Sequence, residues 1–241
     1  MDVSIVITTF NYDQYLEECL NSCIDQEKCD LDYEIIVVDD GSTDETWKIL
    51  ANNFPPNVRI FSIKNVGIEK ASNFGFSKST AHHIVRVDAD DILRPNYLAS
   101  MAPYLSQDHG FFYSNYEVID ALGSVITDFK LPEFDVTEII NRGDFLATGT
   151  IVKAELLKLL KGYRTTKLNS GLENYDLILS LIQFGVTGYH IPKTLFGYRR
   201  HGQNISDLKK AEIIENGKEL LMEKGLGAFN TNEFHPYGLQ I

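Results

Sequence analysis

HIVRVDADDILRP, residues 83–95, is an apolar run that ends abruptly in three carboxylates within four residues, Asp88, Asp90 and Asp91. Like charges that close repel by roughly 3 kcal/mol per pair at about 5 Å and an effective dielectric of about 20. A loop with no other duty is served as well by Asn, Gly or Ser, so negative charge concentrated at a strand end asks for a reason. Upstream of it the same pattern recurs. VSIVITT (3–9), YEIIVVD (33–39), VRIFSI (58–63) and HHIVRV (82–87) are short apolar runs, too brief for helices and suited to buried parallel strands.

Helical signals fill the gaps. Tyr15, Leu16, Cys19, Leu20, Cys23 and Ile24 recur at helical spacing. Ser42-Thr43-Asp44-Glu45 has capping-box form and is expected to open a helix carrying Trp47, Ile49 and Leu50. Ile68 to Lys78 is a further helix, and Pro95 is expected in the first turn of another. Alternation at this spacing implies crossover units and a mostly parallel sheet with helices on both faces, an α/β fold.

Beyond residue 100 the pattern loosens. GFFYSNYEVID (110–120), a turn at Ala121-Leu122-Gly123 and SVITDF (124–129) form a hairpin, a small antiparallel element. TGTIVKAELLKLL (148–160) reads as strand then helix, Leu172 to Phe184 as a helix closed by Gly185, TGYHIP (187–192) as a short strand, and Ala211 to Lys224 as an amphipathic helix. No linker separates the two halves, which are expected to share one sheet.

The 241 residues are 44% hydrophobic and 23% charged, enough for a substantial core. A net charge of −12 disfavours nucleic acid and anionic lipid as bulk electrostatic partners. A phosphate-bearing ligand then needs a metal ion or a few placed cations. Cys19, Cys23 and Cys29 are odd in number and have no nearby His, so they read as small core side chains. MDVSIVITTFN lacks the basic start of a signal peptide, and no apolar run approaches a membrane span, so the expectation is a soluble cytoplasmic protein. No G-x-G-x-x-G follows the first strand and no G-x-x-x-x-G-K-[ST] occurs, which argues against dinucleotide dehydrogenases and P-loop nucleotidases.

In open parallel sheets ligands bind outside the carboxyl ends of the strands. Thr8-Thr9-Phe10-Asn11, Asp39-Asp40-Gly41-Ser42 and Asp88 to Asp91 all follow strands directly. Asp40 can accept from a base edge while Phe10 or Tyr12 supplies an apolar face, or Asp40-Gly41-Ser42 is simply a turn. Asp88 and Asp90 suit Mg²⁺ or Mn²⁺, ions that bridge carboxylates to substrate phosphates, whereas Asp91 competes as a helix cap.

VSIVITTFN, EIIVVDDGSTDET, NVGIEKASNFG, VDADDIL and YRRHGQNIS, in order over roughly residues 3–206, together resemble family 2 of the inverting glycosyltransferases. The resemblance implies the GT-A fold, Rossmann-like, as a catalytic domain over 1–205. About 1–100 would hold the nucleotide and about 101–205 the acceptor, with a C-terminal helix and tail over 206–241. It implies sugar transfer with inversion from a nucleoside diphosphate, commonly UDP, to a glycan or lipid-linked glycan hydroxyl, aided by Mn²⁺ or Mg²⁺. Thr8, Phe10, Asn11 and Asp40 match the nucleobase and ribose positions. Asp88 and Asp90 match Asp-x-Asp, with Asp90 as metal contact and Asp88 nearer the ribose, and His201 matches a late His near the metal or diphosphate. Arg199 is a further candidate for the leaving group.

The chain departs from the family twice. In NxGxxxxRN the residue before the second Asn is usually basic, but here it is Ser72, and Lys70 is the nearby cation expected to reach the phosphates. The acceptor-side helix normally begins Glu-Asp, the Asp being the base, but here Asn174 follows Glu173. An amide accepts no proton at neutral pH. Glu173 and Asp176, three apart on one helix face, are the candidate bases, with Glu173 first. The alternative is a nucleotide-binding module that has lost its chemistry. The helix over 211–224 interleaves Lys and Glu over an apolar stripe and reads as a solvated face, with peripheral contact at the inner face of a membrane left open.

Overall fold

The computed structural model describes residues 1–143, 148–231 and 235. The first four strands form as their composition demands. β1 (Val3–Thr9) is buried at every position, so only a continuous apolar and β-branched run suits it. α1 (Asp13–Ile24) buries Tyr15, Leu16, Cys19, Leu20 and Cys23, so two of the three free cysteines are core side chains. There follow β2 (Tyr33–Asp39), the short α2 (Thr46–Leu50), β3 (Val58–Ser62), α3 (Ile68–Lys78) and β4 (His83–Asp88). After β4 come β5 (Ile92–Leu93), α4 (Tyr97–Met101), a 3₁₀ turn over Ala102–Tyr104, and the hairpin β6 (Phe111–Ile119) and β7 (Val125–Phe129). The chain then runs through α5 (Val136–Arg142), β8 (Ile151–Lys153), α6 (Ala154–Leu160), α7 (Glu173–Gln183), β9 (Gly188–Arg199), α8 (Ile205–Leu208) and α9 (Lys210–Lys224).

One sheet holds all nine of these strands in the order β3-β2-β1-β4-β8-β6-β9-β5, with β7 on β6. β1 to β4 pair in parallel, as do β6 and β9, while β8, β5 and β7 join antiparallel. The two halves therefore share a core. The register fixes where chemistry can occur. Thr8 of β1 lies level with Val38 of β2 and with Asp88 of β4, and Thr9 lies level with Asp39. Three polar strand ends thus reach one rim.

Several expectations are corrected. The segment Ser42 to Glu45 is no capping box: α2 starts at Thr46 without a side-chain cap, and Ser42 Oγ instead accepts from Asn11 N–H. Trp47 lies on α2 as expected and is 63% exposed. Pro95 precedes α4, whose N-cap position is Asn96, and Asp91 does not cap it. The strand expected over 187–192 runs on to Arg199. Pro192 has no N–H to donate, so the β6–β9 register slips around it, Ser114 facing Ile191 and Asn115 facing Thr194. In the tail, Phe229 is buried and packs its ring 6.3 Å from that of Tyr175, and His235 is buried beside Gly143. The rest of the aromatic tail lies largely outside the described residues.

Gly41 turns the chain at the rim with φ +78°, and a Cβ there would lie 2.8 Å from the backbone nitrogen of Asn65. Gly41→Ala is expected to lower stability by about 1–3 kcal/mol. Urea unfolding measures this, and an unchanged midpoint contradicts the strain assigned to the turn.

Candidate active site

A cleft of about 320 Å³ opens at the carboxyl ends of β1, β2 and β4, where strand order reverses between β1 and β4. Thr8, Phe10, Asp40, Asp88 and Asp90 line one side, and Glu173 and Asn174 line the other. The first side is built by hydrogen bonds between loops. The Asp40 carboxylate accepts the N–H groups of Val66 and Gly67 at 2.8 and 2.9 Å. Burial pushes its carboxyl above the usual range and Asp39 adds to this, while the two N–H groups oppose it. Phe10 leaves its ring 43% exposed in the cleft. The hydroxyls of Thr8 and Thr9 are buried without a partner among the described residues. Asn11 is not a wall residue. Held at φ 58°, it accepts from Thr43 N–H at 2.7 Å and Asp44 N–H at 3.3 Å, and so fastens the end of β1 to the loop after β2.

The three aspartates after β4 have separate partners. Asp88 accepts from the Arg86 guanidinium and from Thr148 Oγ1 at 2.9 Å. Asp91 faces inward and accepts the Arg199 backbone N–H at 2.9 Å. Asp90 Oδ2 stands 3.0 Å from His201 Nε2 and 3.4 Å from Asn204 Nδ2. Burial pushes the carboxyls of Asp90 and Asp91 upward, and their neighbours in the cluster add to it. Burial also raises the Tyr12 hydroxyl, with Asp90 and Asp88 contributing, which keeps it a neutral donor in the cleft wall. His201 stacks on Tyr15 at 4.8 Å and accepts Gln203 N–H at Nδ1, so in a neutral ring Nε2 carries the proton and donates to Asp90.

Two expected phosphate ligands are elsewhere. Lys70 is exposed on α3 and is not among the cleft residues. Arg199 is fully buried, donating to the carbonyls of Asp90, Asp120 and Ala121 and to Glu18 at 2.6 Å, so it braces β9 rather than facing the cleft. Of the two candidate bases the structure brings in one. Glu173 opens α7 in the cleft wall, its Oε1 2.6 Å from Arg86 Nη1. Asp176 is turned away, one oxygen 2.8 Å from Arg164 Nε and the other 2.7 Å from Lys224 Nζ. Both its oxygens are taken by cations, which corrects its reading as a base.

Sequence reasoning missed Arg86, the cation shared by Asp88 and Glu173. A charged residue between Val85 and Val87 in a strand that should be buried was the signal. It also missed Glu69, which is buried and accepts the N–H groups of Asn169 and Ser170, tying the 169–171 loop against the cleft.

Among the described residues no group of three His, Cys, Asp or Glu side chains is placed to hold a metal by itself. Asp90 and His201 nevertheless fit a shared site. A hard carboxylate oxygen and an imidazole nitrogen in mutual contact leave the remaining positions to phosphate oxygens and water, the usual habit of Mg²⁺ and Mn²⁺.

The sequence model described as "Glycosyl transferase family 2" matches residues 4–147. The chain belongs to this family. It is 28% identical to the chondroitin synthase of Escherichia coli over 96% of its own length and 34% of that protein. It is 29% identical to the hyaluronan synthase of Pasteurella multocida over 96% of its length and 24% of that protein. It thus spans about a third or a quarter of the length of these relatives. The glycosyltransferase GlyG of Streptococcus pneumoniae is 31% identical over 84% of this chain and 72% of that one. Among solved structures, TarS 1–349 of S. aureus in complex with UDP-GlcNAc superposes with a TM-score of 0.74 at 19% identity, over 95% of this chain and 67% of that one. The mannosyltransferase PcManGT of Pyrobaculum calidifontis, in complex with GDP-Man and Mn²⁺, gives 0.69 at 16%, over 98% and 67%. The fold is GT-A, an α/β sheet, mostly parallel, with a small antiparallel element.

In this member of the family Asp176 serves the scaffold. Asp176→Asn is expected to lower stability by about 1–3 kcal/mol, since two cations each lose a charged partner, Arg164 keeping Glu223 and Lys224 keeping Ser180. Urea unfolding measures this, and an unchanged midpoint contradicts this placement.

Proposed function

We propose that this chain transfers a sugar from a nucleoside diphosphate, taken here as UDP, to a glycan hydroxyl with inversion. The observation that carries the reading is one cleft with a carboxylate on each side: Asp88 and Asp90 on the nucleotide rim, Glu173 on the acceptor helix. Family membership and neighbours solved with UDP-GlcNAc and GDP-Man support it. Relatives named as chondroitin and hyaluronan synthases support a growing glycan, free or lipid-linked, as acceptor. No helix of the described residues is long and apolar enough to cross a membrane.

Thr8 and Asp40 hold the base and ribose, Phe10 covers them, and Asn11 keeps the two loops in place. Asp88 faces the ribose side. Asp90 is the metal contact, and His201 either joins it as ligand after a change of tautomer or orients it as donor. A divalent cation, when bound, supplies charge neutralisation for the diphosphate leaving group. Glu173 takes the proton from the acceptor hydroxyl as that oxygen attacks the anomeric carbon from the face opposite the diphosphate. Arg86 holds Oε1, which leaves Oε2 as the proton acceptor. Asn174 is no base, and its Oδ1 accepts the Tyr163 hydroxyl. A carboxylate in the cleft, although Asn174 holds the usual base position, supports the transferase reading over the inactive module.

The test is turnover of UDP-sugars with Mn²⁺, by donor hydrolysis and by transfer to glycan acceptors. Glu173→Gln is expected to lower kcat by about 10²–10⁴, and Asp90→Ala to abolish metal-dependent turnover. Equal, metal-independent rates for wild type and Asp90→Ala defeat the role given to Asp90. UDP binding with no transfer to any acceptor supports the module that only binds.

A further inference from the structure

Arg86 stands where a strand buried on both faces ordinarily carries an apolar side chain. It is 6% exposed, and among the described residues that line the cleft it is the only Lys or Arg. Its two terminal nitrogens serve different carboxylates on opposite sides of the cleft. Nη1 donates to Glu173 Oε1 at 2.6 Å, and Nη2 donates to Asp88 Oδ1. The Tyr163 ring lies 5.6 Å from the guanidinium carbon, and Tyr163 is itself clamped by Asn73, whose side chain both donates to its carbonyl and accepts its N–H. Nε is buried with no partner among the described residues. A planar guanidinium spans two carboxylates in a fixed geometry, which an ammonium on a flexible stem does not reproduce.

We infer that Arg86 is a positioning residue: its guanidinium holds Glu173 aimed at the acceptor oxygen by tying it to Asp88 on the donor side. The inference rests on the transferase reading above and adds to it the group that links the two halves of the reaction. It bears on the second departure from the family pattern, since the carboxylate that Arg86 holds stands one residue before Asn174. Ser72, where the family pattern has a basic residue, is fully buried, its hydroxyl without a partner among the described residues.

The test is a mutant cycle of Arg86→Lys, Arg86→Met, Glu173→Gln and the double variants, assayed by hydrolysis of a panel of UDP-hexoses and UDP-N-acetylhexosamines with Mn²⁺. Calorimetry with UDP and Mn²⁺ runs alongside. Arg86→Lys is expected to keep the UDP Kd and donor KM within about threefold while kcat falls about 100-fold. Combined with Glu173→Gln, either Arg86 variant should cost no more than about a further twofold, because the two residues act as one unit. Where Arg86→Met does not fold, the Lys variants alone decide. A kcat within about threefold of wild type in Arg86→Lys, losses that multiply in the double variant, or a collapse of UDP binding without a kcat effect each overturn the inference. Glu173→Gln with wild-type kcat defeats the base assignment instead, and a wild type inert toward every donor and acceptor defeats the transferase reading, taking this one with it.

Discussion

The cleft depends on β1, β2 and β4 ending at one level. Because Thr8 is in register with Val38 and Asp88, the residues that follow each strand are delivered to a common rim. A parallel sheet buried on both faces rarely places charge along its length, so polar chemistry collects at the ends. The order β2-β1-β4 then opens a crevice beside β1, since the crossovers on either side leave in opposite directions.

Collecting carboxylates at one rim is costly, and the structure meets the cost residue by residue. Asp40 has two backbone N–H groups, Asp91 has the backbone of β9, and Asp90 has His201 and Asn204. Asp88 and Glu173 share Arg86. Each is hydrogen-bonded before any ligand arrives, as buried charge requires. The cleft therefore has no unengaged cation for a diphosphate among its described residues: Arg86 is committed and Arg199 is buried beneath the rim. In a chain of net charge −12, that is the strongest physical reason to bring a divalent ion into the proposed reaction.

Much of this was legible in the sequence because burial on both faces leaves a plain mark. The four apolar runs, the bounds of α3 and the hairpin follow from composition and period alone. What was not legible depends on contacts far apart in the chain. The strand β9 hides its length because Pro192 interrupts the pattern, and only pairing with β6 shows that the chain slips and continues. The Ser42–Glu45 segment looks like a helix start, yet Asn11, 31 residues upstream, takes Ser42 Oγ for the rim. Lys70 and Arg199 were plausible by proximity in sequence, but one points to solvent and the other into the core. Spacing on α7 put Glu173 and Asp176 on one face; it does not reveal that Arg164 and Lys224 already hold Asp176.

The geometry of the two elements supports the proposal that Glu173 stands in for an aspartate at 174. Along a strand, residues two apart share a face, so Arg86 and Asp88 project to the same side of β4, Arg86 one pleat deeper. On a helix the next residue turns by about 100°, so a carboxylate at 173 points along a different radius from one at 174. Glu173 is also longer by one methylene than an aspartate. A longer side chain aimed differently reaches the cleft usefully only if something fixes its end, since a free Glu has several rotamers to lose. The guanidinium on β4 is placed to fix it, and Asn174, accepting the Tyr163 hydroxyl, keeps the first turn of α7 against the same wall. Length, direction and restraint thus change together. With Asn at 174, Glu173 is the carboxylate that opens α7 in the cleft wall, and a strand without the cation at residue 86 would leave it buried without that partner.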